Sequence, residues 1–194
     1  MLTTRRLLPV LLATGCALTA HLHAQFTPVS APQAPDIQGG WRSAAPENYG
    51  SHHATRSFVI TEREWQVHYQ AYADSQGQQP LFTIRAKGVY ALGEPSAKVG
   101  GAREGIFPVL SRSVTADSDA GVQMFASMGC RLERGRETFL LNAGCGFVPG
   151  LMQVMGEYDL VAQSQGQLFF GDRAGDLSKA RPEKLTPFPL LRRP

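Results

Sequence analysis

Beyond residue 20 this chain has no apolar run near the ~20 residues that a helix needs to cross a bilayer. It also lacks an excess of charge. Nineteen Lys and Arg face 16 Asp and Glu. If Arg5 and Arg6 leave with a leader segment, 17 cations remain, a net charge of roughly +1. That gives no long-range attraction for nucleic acid or anionic lipid. Catalytic signatures are missing too. There is no Gly-x-Ser-x-Gly elbow, no His-Glu-x-x-His helix, and no phosphate-cradling Gly-rich loop followed by Lys-Ser or Lys-Thr. "KVGGAREG" has the glycines without that spacing and reads as a bend, and "NAGCGFVPG" reads as a turn. Glu62, Glu64 and the acids after Ala116 lie in separate segments, which leaves no carboxylate pair. His52 and His53 are adjacent, so on a strand they point to opposite faces, and with His68 they do not make a metal-ligand pattern. No enzymatic activity, cofactor or metal is expected.

What is present begins with "MLTTRRLLPVLLATGCALTAHLHAQ". Arg5 and Arg6 precede an apolar run from Leu7 to Ala20, the pattern of a secretory signal. Residues 1–24 are expected to be removed, leaving a periplasmic or secreted chain. In the alternative, Cys16 after Gly15 carries a lipid and anchors it. Residues 25–36, rich in Pro, Ala and Gln, read as a flexible linker. Residues 37–194 have the length for one domain with a real core. Cysteine is scarce, and once Cys16 is set aside Cys130 and Cys145 stand alone. In an oxidising compartment they are expected to pair, and closing a loop of about 15 residues stabilises by roughly 3 kcal/mol in the chain-entropy model.

Period-two patterning dominates the domain. In "WQVHYQAY" Trp65, Val67, Tyr69 and Ala71 alternate with Gln66, His68, Gln70 and Tyr72, as a half-buried antiparallel strand requires. "LFTIRAKG" opposes Phe82, Ile84 and Ala86 to Thr83, Arg85 and Lys87, and "ADSQGQQP" between them is a turn. Further strands are expected at Val89 to Leu92, Ile106 to Leu110 and Ser111 to Thr115. A hairpin is expected from Tyr158 to Gln163 and Gln167 to Gly171. In "DSDAGVQMFASMGC" Asp117 or Ser118 can cap one short helix. The closing "LLRRP" reads as a solvated tail. The sum is mainly β, a curved antiparallel sheet with one short helix.

"DIQGGWRSAA" puts Gly39 two residues before Trp41 and resembles the first strand of a lipocalin, where the tryptophan seals one end of a barrel. The sheet is thus expected to be lipocalin-like, and the family resemblance that follows implies a half-barrel. The longer string "TRSFVITEREWQVHYQAYADSQGQQPLFTIRAKGVY" resembles the domain of the Wnt inhibitor named for down-regulation by adenomatosis polyposis coli. It has a Thr55-Arg56 pair opening a strand, Asp74 in a turn, Pro80-Leu81-Phe82, and Gly88 before the next strand. "VGGARE" and "YDLVAQSQGQLFFGDR" with "RPEKLTPFPL" resemble later segments of that family. The resemblance spans Ile37 to Leu191. It implies a single-domain, bacterial-type member: a hollow sheet that takes the acyl chain of a lipid or another apolar molecule. The Wnt role itself is not carried over.

In this reading Phe58, Trp65, Tyr69, Phe82, Tyr90 and Phe107 line the ligand-binding face, with Phe169 and Phe170 adding to the aromatic excess. Trp41 closes one end, and Arg56 or Arg42 near the rim meets an acidic headgroup. An open apolar face is costly at roughly 25 cal/mol per Å², so a homodimer is expected. The alternative is a protein-interaction or envelope-assembly domain whose aromatic face a partner covers. The family places a cysteine where Gly77 stands, and the segment Ala44 to Gly50 has no partner cysteine. One bridge is missing, and the loop from Ala44 to His53 is expected to be mobile.

Overall fold

The computed structural model describes residues 34–193. The expected leader, Cys16, and residues 25–33 of the expected linker lie outside the described residues. Eleven strands and one helix follow in order: β1 (Gly39–Ser43), β2 (Glu47–Asn48), β3 (His53–Ile60), β4 (Glu64–Tyr72), β5 (Pro80–Val89), β6 (Ala91–Pro95), β7 (Ala102–Ala116), α1 (Asp119–Ser127), β8 (Thr138–Phe139), β9 (Gly156–Ser164), β10 (Gln167–Phe170) and β11 (Leu190–Arg192).

The sheet closes on itself, which corrects the expected half-barrel. Antiparallel pairs run β1-β11-β10-β9-β7-β5-β4-β3, and β1 then pairs with β3, setting Trp41 opposite Phe58. Eight strands complete the ring, while β2, β6 and β8 attach to its members. "LLRRP" is not a tail, since Leu190–Arg192 is the strand that joins β1 to β10 and Leu190 is fully buried. Three residues are too few to give a period-two signal, so pairing rather than pattern makes this strand. Closure also removes the open apolar face from which a homodimer was expected.

Alternation fixes which side chains enter the barrel. Ile60 pairs with Trp65, Phe58 with Val67, Arg56 with Tyr69 and Ala54 with Ala71, and these face inward. The two strands expected between Ile106 and Thr115 are one continuous β7. Its first half pairs with β9 and its second half with β5. Where the register shifts at Gly88, a Cβ would sit 1.9 Å from the Pro108 carbonyl oxygen, so only glycine lets the strands approach. Pro108, which has no N–H to give a ladder, falls at the same irregularity. Ser118 caps α1 by accepting a bond from Gly121 N at 3.2 Å. The Cys130–Cys145 disulfide is formed, with Cα atoms 5.2 Å apart, and fits an exported protein.

The core is in two parts. The first cluster holds Trp41, Ile60, Trp65, Phe107, Leu168 and Leu190. The second gathers Phe82, Val114, Leu140 and Cys145 around Phe125 of α1. On β4, Trp65 and Val67 belong to the first, Tyr69 and Ala71 to the second. The clusters therefore occupy opposite ends of the strands. Trp41 anchors the first: it is fully buried, its indole N–H donates to Ile37 O at 2.7 Å, and the Arg192 guanidinium lies 4.7 Å from the ring centre. Replacing Trp41 by Ala is expected to destabilise by about 3–5 kcal/mol, as for other buried aromatic residues. Urea denaturation measures this, and a loss below about 1 kcal/mol would contradict the sealing role.

Candidate functional site

Five of the eight residues singled out in the sequence, Trp41, Phe58, Trp65, Tyr90 and Phe107, fall in the first cluster or against it. Trp65 Nε1–H donates to Val89 O at 2.9 Å and its ring meets Phe107 edge-on. Phe107 stacks on Tyr90, and Phe58 stacks on Phe170 with centroids 4.9 Å apart. Tyr69 and Phe82 sit in the second cluster. Trp41, Trp65, Phe82 and Phe107 are buried, whereas Phe58, Tyr69 and Tyr90 are half-buried. Phe169 alternates away from Phe170 and packs in a third, smaller cluster with Leu160.

Arg56 is not at the rim. It points into the barrel, is 5% exposed, and forms a two-pronged pair with Glu47, Nε to Oε2 at 2.9 Å and Nη2 to Oε1 at 3.0 Å. Nη2 also donates to Phe188 O at 2.8 Å. Its charge is already met, because burying a guanidinium requires a partner. Arg42 faces outward and is exposed. Glu47 also accepts from Ser43 Oγ and from Tyr49 O–H, each at 2.6 Å. These bonds and the β2–β3 ladder tie down the segment from Ala44 to His53, which was expected to be mobile. Gly77 lies against this segment: a Cβ there would come within 3.2 Å of Pro46 Cγ. The place of the missing bridge is thus filled by packing, with a buried ion pair beside it.

At this end of the barrel His52 joins an aromatic group that the sequence does not foretell. It stacks on Tyr49 and Phe147, and Nε2 lies 2.5 Å from the Tyr69 hydroxyl. Burial holds the Tyr69 phenol well above its ordinary range, so it stays protonated beside Nε2. Burial, then the charge on His53, lowers the His52 pKa. Phe147 packs against Phe82 and Phe125 yet is 49% exposed. Nothing near His52 in the sequence announces Tyr69 or Phe147.

Between the apolar clusters runs a chain of charges. Arg112, inward on β7 beside Ala86, lies 3.6 Å from Glu157 and donates to Pro149 O at 3.0 Å. Glu157 pairs with Arg173, which also reaches Asp159 at 3.3 Å. Asp159 is 3% exposed and accepts the N–H groups of Leu160 and Gly171, both at 2.7 Å. Burial raises its pKa from 3.8 to about 6, against the opposing pull of Arg173 and the two N–H bonds. Arg173 keeps 43% of its side-chain surface although it pairs with both Glu157 and Asp159. Among the described residues no group of His, Cys, Asp and Glu is placed to hold a metal ion.

The class of protein this defines is a closed eight-stranded β-barrel with an aromatic interior, interrupted by a layer of buried charge. The chain belongs to the family described as Adenomatosis polyposis coli down-regulated 1, whose model matches residues 16–134, more than half of its length. The match contains Glu47, Arg56 and every inward aromatic residue of β3 to β7, and ends before the hairpin that supplies Asp159.

Asp159 generates a test. Its folded pKa lies above the unfolded value, so the protonated form favours folding. That contribution is present below pH 3.8 and lost as pH rises through about 6. Asp159→Asn keeps a neutral acceptor for the two N–H groups. Relative to this variant, the wild type is expected to lose about 3 kcal/mol between acid and neutral pH, read by urea denaturation. A pH-independent difference would refute the assignment.

Proposed function

We propose that the chain is an exported, non-enzymatic carrier that holds the acyl chain of a lipid, or another apolar molecule, inside the barrel. The observation that carries this reading is a contrast among inward side chains. Trp41 and Phe82, near opposite ends, are fully buried. Phe58, Tyr69 and Ile84, which lie between them inside a closed wall, remain partly accessible. Surface left open on the inner side of a closed sheet faces interior space, and a dry space lined by rings takes an apolar chain. Desolvation of that chain is the driving force. Phe58, Tyr69 and Phe107 then contact the ligand, Trp41 and Trp65 close one end, and Tyr90 packs behind Phe107.

Arg173 is paired with both Glu157 and Asp159, so its charge, like that of Arg56, is already met and the interior is assigned to an apolar chain. Phe147 stands at the entry. The alternative, a partner protein covering the aromatic face, is disfavoured, since the closed wall leaves that face no opening wide enough for a protein.

Both tryptophans, Trp41 and Trp65, lie in the first cluster, so their fluorescence reports on the interior. Doxyl-stearate is expected to quench it saturably. Filling the space with Val67→Phe and Ile84→Phe should weaken that quenching at least ~10-fold, the scale of a lost apolar contact of a few methylenes. Quenching that rises linearly without saturation, as for tryptophan free in solution, would reject the interior site.

A further inference from the structure

The outward face of the same strands carries a separate feature that the interior reading does not use. A cavity of about 500 Å³ opens on the outside of β3, β4, β5 and β7, flanked by Phe139 of β8 on one side and Arg193 on the other. Arg85, Lys87 and Arg193 bring three permanent cations to it, with His68 between them. Glu137 is the one carboxylate in its wall. It is already engaged, accepting from Ser113 Oγ at 2.6 Å and lying 3.8 Å from Arg85. Arg193 is held over the groove by Ser57 Oγ at 2.8 Å and by its own N–H on Gly40 O. Ser111 adds a further hydroxyl.

Exposed apolar side chains continue from the groove. Phe139 forms part of its wall, and the backbone leads on to Leu141, which is bonded to Met152. Met155 O accepts from Val109 N, bringing it beside Leu110. Phe139, Leu110, Leu141, Met152 and Met155 are each more than half exposed. Exposed apolar side chains gathered on neighbouring segments in this way mark a docking surface. A protein partner chosen by apolar contact alone would not need the cations next to it. A bilayer surface uses both, because apolar side chains enter the headgroup boundary while Lys and Arg meet phosphate. The whole-chain charge, roughly +1 without the leader, says nothing against this, since only its distribution matters.

We infer that this chain docks on anionic phospholipid surfaces through the Arg85–Lys87–Arg193 groove, with Phe139, Met152 and Met155 entering the headgroup layer. The surface is distinct from the interior site, so either holds without the other.

Co-sedimentation with vesicles tests it. The protein is expected to pellet with mixed phosphatidylcholine and phosphatidylglycerol vesicles, to release in high salt, and to bind pure phosphatidylcholine far more weakly. Neutralising Arg85 and Lys87 to Gln should weaken binding roughly 30-fold, about fivefold for each cation near the surface. Phe139→Ser with Met152→Ser should weaken it at low and high salt alike. Both variants should keep the wild-type tryptophan emission and urea midpoint, which shows that they are folded whether or not the interior takes a ligand. Equal binding to neutral vesicles would overturn the inference, as would insensitivity to either pair of substitutions. So would displacement by millimolar inorganic phosphate with lipid present, which would assign the groove to a free anion. A dimer in sedimentation velocity that Phe139→Ser abolishes would assign the patch to a second copy.

Discussion

Ring closure by β1 is the constraint on which the rest depends. Five residues, Gly39–Ser43, are hydrogen-bonded on one side to β3 and on the other to the three-residue β11. Without that clasp the sheet has two edges and an exposed aromatic face. With it, every inward side chain of eight strands must share one enclosed volume, and inside and outside become separate chemical surfaces. Trp41 occupies the middle of the clasp, opposite Phe58 and under Arg192. The strand that closes the barrel therefore also seals its first apolar cluster.

Enclosure makes the buried charges intelligible. Arg56, Arg112 and Asp159 cannot reach bulk water, so each must be met inside: Arg56 by Glu47, Arg112 by Glu157 and two backbone carbonyls, Asp159 by Arg173 and two N–H groups. Such a layer adds little to stability compared with apolar packing, yet any unmatched member would be costly. Its consequence here is geometric. It divides the core into two packed ends and fastens to the wall the segments that no long strand holds, Ala44–His53 through Glu47 and the chain around Pro149 through Arg112. Where the family resemblance implies a second cross-link, this chain uses Pro46 against Gly77 and the Glu47–Arg56 pair.

Much of the wall was legible in the sequence, because alternation over eight or nine residues carries its own signal. β3, β4, β5, the β9–β10 hairpin and the Ser118 cap all follow from local pattern. The closing strand did not, being three residues long and defined by its neighbours. Neither did the charge layer, whose members are distant in sequence: Arg112 and Glu157, Glu157 and Arg173, Glu47 and Arg56 are brought together only by the fold. Arg56 looked like a rim cation because a lone arginine on a strand is most simply placed in water, and its partner lay in a segment that read as loop. The aromatic setting of His52 is hidden for the same reason, since Tyr69 and Phe147 are distant in sequence. On the outer face Arg85 and Lys87 were legible as polar alternation, while their meeting with Arg193 and Phe139 was not.

The two proposed surfaces would divide the labour on one small barrel, an outer face holding the chain at a bilayer and an inner space taking an apolar molecule from it. The inner space is the part on which the proposed function stands. Intermolecular NOEs from a fatty acid carrying a ¹³C-labelled terminal methyl test it most directly. Cross-peaks are expected to Phe58 and Ile84, inside the ring. Cross-peaks confined to Val59 and Phe139 on the outer face, or none at all at saturating ligand, would contradict it.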